Sequence, residues 1–598
     1  MVNRAAEWHS SRKRLIDVAM GRMPAEMVIR DGQWVCVQSG EILPHTDVAV
    51  VDGRIAYVGE DGSHTIGEET QVIEARGRYL CPGLLDGHMH VESGMLTVTE
   101  FVRAVVPHGT TGMFVDPHEI ANVFGLKGVR LMVDEAAEQP IHVWVQIPSC
   151  VPSAPGLETP GDKIGPEEVA EAMAWEGVIG LGEMMNFPGV YFADDKMLAE
   201  MAETRAANKV IGGHYAAPDL GLPFHGYVAG GPQDDHEGTR LEDAVARVRQ
   251  GMKTMLRYGS AWHDVAAQVG AITEMGLDSR NFLLVTDDSH SETLVNDGHM
   301  NRVVRHAIAQ GLEPITAIQM ATINTAEHFG VAQEVGMIAP GRSADILFLS
   351  DLDAFEVEQV IAKGAIVAED GKMIVDLPVY AYPDWAVKSV KIGKTFAASD
   401  FVLKSSRDGE VTANVIGIIE NQAPTKHLRM TVRAENGEVP VDMENDIVKM
   451  AVVERHEGTG RVQVGLTHGF GFNTACAIAS TVAHDSHHLI VVGTNEADMA
   501  LAVNELARVG GGQVVVKDGE VIGLVELPIA GLMSSERAEV VAEKAGTILE
   551  GFEACGCSLN NPNMQLSLSA LVVIPELRMS DLGLVDVTKF EFVPVIAD

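Results

Sequence analysis

The sequence runs to 598 residues, room for about three or four domains, with 46% hydrophobic and 21% charged side chains, the proportions of a soluble globular protein. A formal net charge of −40 excludes partners held through a phosphate backbone, which need clustered Lys and Arg to release counterions, and it favours a neutral small molecule over an anionic one. Six scattered cysteines exclude a dense disulfide framework, Cys555-Gly-Cys557 lacks the second pair of a structural zinc site, and neither a secretory h-region nor an apolar run of about 18 residues occurs. A cytoplasmic protein without nucleic-acid or membrane partners is expected.

In chain order the first texture is β. Residues 27–30, 34–37, 47–59 and 71–75 are rich in β-branched side chains and broken by Asp-Gly and Gly, which predicts a small antiparallel sheet. From about Gly83 to Gly330 short apolar strands alternate with helical stretches such as 166–175 and 195–208, the pattern of βαβ units around a parallel sheet. Residues 336–349, then 365–367 and the turn at Asp370-Gly371, return to β texture. The simplest arrangement joins them to the N-terminal strands as a composite β-sandwich, with the parallel unit inserted between its halves. Residues 380–394, containing Tyr382-Pro383-Asp384-Trp385, read as a linker. Beyond them, strands at 462–466 and 489–493 and a helix near 496–508 predict a separate C-terminal α/β domain. The expected boundaries are 1–82 and 331–390 for the two parts of the sandwich, 83–330 for the parallel unit and 395–598 for the last domain.

Eight strands can be counted in the central region: 84–86, 111–115, 141–145, 178–182, 210–213, the stretch before His236, 253–256 and 282–285. Eight is the number of a (β/α)8 TIM-type barrel, whose chemistry sits at the C-terminal strand ends. Metal-type ligands fall at five of those ends: His88 and His90, Glu183, His214, His236, and the pair Asp287-Asp288. The i, i+2 spacing of His88 and His90 points both imidazoles to one face of a strand, about 7 Å apart at the backbone, where one cation can take both. Glu183 stands where many two-metal hydrolase barrels carry a carboxylated lysine, and its two oxygens would need no modification. A buried carboxylate there is costly unless compensated, and two divalent cations compensate it. His214 and His236 taken singly also read as satisfied structural histidines, and Asp287 as a cap with Asp288 the functional member.

The sequence resembles the amidohydrolase superfamily and, within it, the bacterial adenine deaminases. The resemblance is carried by Leu15-Ile16-Asp17-Val18-Ala19, the Pro82 to His90 motif, His108-Gly109-Thr110-Thr111, Asp116-Pro117-His118-Glu119-Ile120-Ala121-Asn122-Val123 and Gly182-Glu183-Met184-Met185-Asn186. It continues in Asp234-Asp235-His236-Glu237, Thr286-Asp287-Asp288, Gly465-Leu466-Thr467-His468-Gly469-Phe470-Gly471 and Ala483-His484-Asp485-Ser486-His487. The His-x-His motif is specific only to the superfamily, whereas the Asp116 to Asn122 segment and the C-terminal motifs point to the deaminases. His488 departs from the Asn expected in many relatives.

The resemblance implies hydrolysis of adenine to hypoxanthine and ammonia in purine salvage, by a homodimer or higher homo-oligomer. It implies a binuclear divalent centre of Mn(II) or Fe(II), with Zn(II) also permitted by mixed N/O ligation. One metal would be held by His88, His90 and Asp287, the second by His214 and His236, with Glu183 and a hydroxide bridging both. The hydroxide would attack C6 while Asp287 relays its proton to the departing amine, and Glu119, or else Glu237, would protonate N1. Asp116, His118, Glu119 and Asn122 carry donors and acceptors for a purine edge, or else form a polar loop turned by Asp116-Pro117. Glu237, Arg257 and Ser260 join them as pocket candidates. His468, His484, His487 and His488 invite a metal reading, but a structural or subunit-contact loop is the expectation, because the barrel already supplies a complete ligand set. Gly510-Gly511-Gly512 follows a helix and opens a strand, so it is a turn and not a phosphate loop. His90-Val91-Glu92 lacks the Pro-Cys-x-x-Cys partner of the zinc nucleobase deaminases, which excludes that fold. Rival readings are another amidohydrolase, such as an amino-sugar deacetylase or cyclic amidase, and a silent metal-binding scaffold.

Overall fold

The computed structural model describes residues 4–597. Helix Arg4–Ala19 lays Leu15 and Val18 against Val28, Ala49 and Val51 of a nine-stranded sheet. That sheet combines strands before the barrel with strands after it, because Ile346–Leu349 pairs antiparallel with Tyr79–Pro82. Ile29, Val48 and Val50 from one part share a core with Ile346, Phe348 and Ile361 from the other, so the curled sheet closes as the expected sandwich. Two runs expected as separate strands, 27–30 and 34–37, are one strand, Met27–Cys36. Asp31-Gly32 makes an irregularity in the ladder instead of a turn, with Asp31 at positive φ. Asp52-Gly53, both at positive φ, does form the tight hairpin that Asp-Gly predicts.

All eight central strands are present. Leu84–His90, Thr110–Val115, His142–Ile147, Val178–Met184 and Val210–Gly213 form one parallel run, and Asp234–Asp235, Lys253–Arg257 and Phe282–Val285 another. Asp287–Asp288 continues the eighth strand and pairs with Met89 and His90 of the first, which closes the barrel on that side. Across the other gap, Gln233 N donates to Ile211 O at 2.8 Å and Gly213 N to Asp234 Oδ1 at 2.9 Å.

Residues 380–394, expected as a linker, pack against both regions that they join. Trp385 packs edge-on against Phe124 at 5.0 Å, Tyr382 hydrogen-bonds Glu135, and Lys388 N donates to Pro528 O. The C-terminal eight-stranded sheet follows, and its alternation explains its two faces. Ala451, Val453, Val514 and Val516 pack on helix Glu496–Val509, whereas Met450, Val452 and Val515 join the cluster that continues into the barrel core. Segment 529–534 ties the two regions together: Thr97 N donates to Ser534 O and Ser534 N to Met95 O, just beyond the first barrel strand.

Candidate active site

The first strand, Leu84–His90, is buried along its length, so its histidines have little solvent to satisfy them. His90 donates from Nδ1 to the Asp116 carbonyl at 2.8 Å, which leaves the Nε2 lone pair free. That Nε2 stands 3.3 Å from Asp287 Oδ1 and 3.7 Å from Glu183 Oε1. His88 Nε2 lies 3.9 Å from the same Asp287 oxygen, is buried, and has no hydrogen-bond partner.

Glu183 ends the fourth strand with its backbone held on both sides. Its N–H donates to Asp116 Oδ2 at 2.9 Å and its carbonyl accepts from Ser149 Oγ at 2.7 Å. Gly182 permits the first of these contacts: a Cβ there would come within 2.0 Å of Asp116 Oδ2. Glu183 Oε2 then meets His214 Nδ1 at 2.5 Å and His236 Nε2 at 3.1 Å. Burial alone would raise this carboxyl, but His214 and His236 hold it well below the usual range.

Asp235 sets the fifth and sixth strand ends together. It is buried, receives Arg247 Nε at 2.7 Å, and accepts the backbone N–H groups of Tyr215 and Glu237. His214 and His236 are the neighbours of those residues and are carried to Glu183 by that clasp. Asp287, at φ +64, occupies the left-handed region that non-glycine residues rarely adopt, a strain typical of functional positions. Its Oδ2 accepts from Arg257 Nη1 at 2.8 Å while Oδ1 turns to His88 and His90. Asp288 bonds Ser93 instead, so Asp287 is the member of the pair that joins the cluster.

Three sets, His88/His90/Glu183, His88/His236/Asp287 and Glu183/His214/His236, each bring three donor atoms within 4.8 Å of one another. Atoms bound to one divalent cation at about 2.0–2.2 Å stand roughly 3 Å apart, so the donor set and its spacing fit metal binding. The unpartnered His88 Nε2 fits it too. Glu183 belongs to two of the sets, as do His88 and His236, and it alone of the three offers two oxygens.

The pocket expectations divide. Glu119 lines a cavity of about 120 Å³ at the C-terminal face of the barrel, with Glu92, Asp288 and His290 beside it. Burial raises Glu119 to about 7, even against the opposing effects of His90 and His484, and its Oε2 is unpartnered. Asp116, His118 and Asn122 do not line that cavity. Asp116 positions Glu183, Asn122 Nδ2 donates to the His118 carbonyl at 2.9 Å, and His118 Nδ1 lies 3.4 Å from Glu183 Oε1. Arg257 is likewise absent from the cavity lining: its Nη1 is taken by Glu237 and Asp287 and its Nε by Asp264. Glu237, bound to that guanidinium, is held below its ordinary value despite burial, which removes it as a proton donor. Ser260 donates to Thr293 Oγ1 and accepts from His290 N, outside the cavity wall.

Of the C-terminal histidines expected in a structural or subunit-contact loop, His484 is the one that lines the cavity. Its ring lies 6.4 Å from that of His118, and it shares the cavity with Glu119. Burial would lower it, but Asp485 beside it and Glu119 opposite bring it up to about 9. The motif Ala483-His484-Asp485-Ser486-His487 held the signal; nothing in its spacing said which histidine would face the barrel.

Residues 79–367 match the amidohydrolase family model, and 422–591 match the model of the adenine deaminase C-terminal domain. Adenine deaminase 3 of Rhizobium meliloti is 62% identical over 589 residues, 98% of this chain and 99% of that protein. The chain belongs to the adenine deaminase family. The adenine deaminase of Mesorhizobium japonicum is 61% identical over 98% of this chain and 97% of its own length. That of Moorella thermoacetica is 52% identical over 98% of each. The cavity between barrel and C-terminal sheet adjoins the ligand cluster through Glu119, which groups with His90 and His118.

Proposed function

We propose that this chain hydrolyses adenine to hypoxanthine and ammonia, with His88, His90, Glu183, His214, His236 and Asp287 holding a binuclear divalent centre. The observation that carries this reading is identity of 52–62% to adenine deaminases across both the barrel and the C-terminal region. When bound, such a pair of cations acidifies water enough to supply a nucleophile at neutral pH. Mn(II) or Fe(II) is the proposed occupant, with Zn(II) compatible with the same mixed donors.

The chain's own groups account for the proton movements. Deamination needs N1 of the ring protonated as C6 is attacked, and a carboxyl poised near neutrality both gives and regains that proton. Glu119 is such a group, buried at the cavity wall with one oxygen unpartnered. Asp287, fixed by Arg257 through Oδ2, presents Oδ1 to the ligand cluster beside His88 and His90, where it would take the water proton and pass it to the departing amine. Asp116 and Asn122 act by position, through Glu183 and the His118 backbone. The proposed domain division is 1–82 with 331–390, 83–330 and 395–598. Among the described residues no helix is long and apolar enough to cross a membrane. A cytoplasmic homo-oligomer acting in purine salvage completes the proposal.

The test is ammonia release from a purine panel by protein reconstituted with each metal in turn. Adenine is expected to be the preferred substrate, and Glu119→Gln to lose about 10²–10⁴-fold in kcat with metal content unchanged. Turnover of acetamido sugars or hydantoins without adenine turnover would overturn the assignment.

A further inference from the structure

The cavity has one wall that the proton chemistry does not use. The C-terminal region contributes Gln513 and Ser567 to the same cavity lining as Glu119; both side chains are buried, and neither Gln513 Oε1 nor Ser567 Oγ has a hydrogen-bond partner. A buried polar atom left unpaired is costly, so two such side chains on one cavity lining mark a place where something else supplies the partner.

Gln513 breaks the local pattern. It opens the strand Gly512–Lys517, where Val514 and Val516 face the helix-side core and Val515 faces the cluster shared with the barrel. Position 513 shares the face of Val515, where a sheet core calls for an apolar residue. The backbone is shaped to deliver it there. Gly512 sits at φ +137, where a Cβ would come within 1.8 Å of Val525 O, and its N–H is fixed by Thr481 Oγ1 at 2.7 Å. The Gly510-Gly511-Gly512 turn is therefore the device that seats Gln513.

Resting on the adenine reading above, we propose that Gln513 recognises the N3/N9 edge of the base, making the C-terminal region part of the substrate site and a filter for free base over nucleoside. With C6 and N1 turned to the ligand cluster and Glu119, the opposite edge of adenine turns toward the Gln513 wall. That edge offers an acceptor, N3, beside a donor, N9–H. A carboxamide offers the complementary donor and acceptor in one plane, so one glutamine satisfies both. A nucleoside has a sugar in place of the N9 proton. With no N9 proton to donate, the nucleoside loses the hydrogen bond that the carboxamide oxygen would accept.

The test is a cycle between the protein and the base. Wild-type enzyme and Gln513→Leu are assayed for kcat/KM on adenine, 3-deazaadenine and 9-methyladenine, with metal content and thermal melting recorded for both. Gln513→Leu is expected to lose about 10- to 100-fold on adenine with full metal content, the worth of two neutral hydrogen bonds. The wild-type penalty for 3-deazaadenine should shrink about tenfold in the variant, because the partner of N3 is already gone. If the variant penalises 3-deazaadenine as strongly as wild type does, Gln513 does not touch N3 and the proposal falls. Wild type accepting 9-methyladenine within twofold of adenine would overturn it without any variant. Failure of wild type to deaminate adenine with any metal would sink the parent reading, and this inference with it.

Discussion

Histidines from two regions approach each other across the seam between barrel and C-terminal sheet, and they are partnered differently. In the barrel, His90, His214 and His236 point ring nitrogens at Glu183, a buried carboxylate they share, and His88 keeps Nε2 unpartnered beside Asp287. In the C-terminal region, His456 donates to the Ser486 carbonyl, His487 Nδ1 accepts from Ala483 N, and His488 lies 3.2 Å from Asp581. Those three are engaged mainly with their own region, and His484 alone lines the cavity. What separates a ligand set from a packing set is convergence on shared carboxylates; unpartnered ring nitrogens occur in both, at His88 in one and at His487 and His488 in the other.

The largest expected effect tests that convergence directly. Glu183→Gln keeps the shape of the side chain but gives one of its two oxygen positions to a nitrogen that donates. Metal retention should collapse and kcat fall by at least about 10³-fold, read by elemental analysis beside ammonia release. Full metal with near-normal turnover would mean that Glu183 is only an ion-pair partner of the histidines.

A smaller effect should distinguish the two kinds of C-terminal histidine. His484→Ala removes a cation from the cavity wall and is expected to lower kcat/KM about tenfold with metal content intact. His488→Ala should leave kcat/KM within about twofold and lower Tm by a few degrees, since it packs against Asp581 away from the cavity. Equal kinetic losses from both would erase the distinction drawn here.

The ligand set was legible in the sequence because it rests on local rules. A two-residue period fixes His88 and His90 on one face, and each strand end announces itself by an apolar run closing on a polar residue. The composite sheet was legible too, since β texture before and after the barrel leaves exposed edges that pair most simply with each other. The cavity wall was not. Arg257 looked like a ligand reader because sequence cannot show Glu237, Asp264 and Asp287 meeting on one guanidinium. Gln513 and His484 are brought to Glu119 by the docking of a sheet some 400 residues downstream, and no periodicity encodes that distance. The packing of the linker 380–394 was hidden for the same reason: Pro and Asp mark irregular backbone, and irregular backbone need not be loose.

The smallest effect lies at the seam itself. Glu158 is buried in a barrel loop, its Oε1 accepting from Ser153 Oγ and Ala154 N at 3.0 Å, with Asp485 of the C-terminal region nearby. Burial first, and then the Asp485 charge, pushes it up to about 7 from an ordinary 4.5. For a carboxyl raised in the folded state, the fold favours the protonated form. Its contribution is therefore present at low pH and is lost as pH climbs from about 4.5 through about 7. Glu158→Gln mimics the protonated form permanently: Oε1 still accepts both hydrogen bonds, and a neutral amide replaces a second negative charge near Asp485. The variant should melt together with wild type at pH 5 and a few degrees above it at pH 8. A difference of the same size at both pH values would show that the seam is indifferent to this proton, and that His484 and Asp485 are held in place by packing alone.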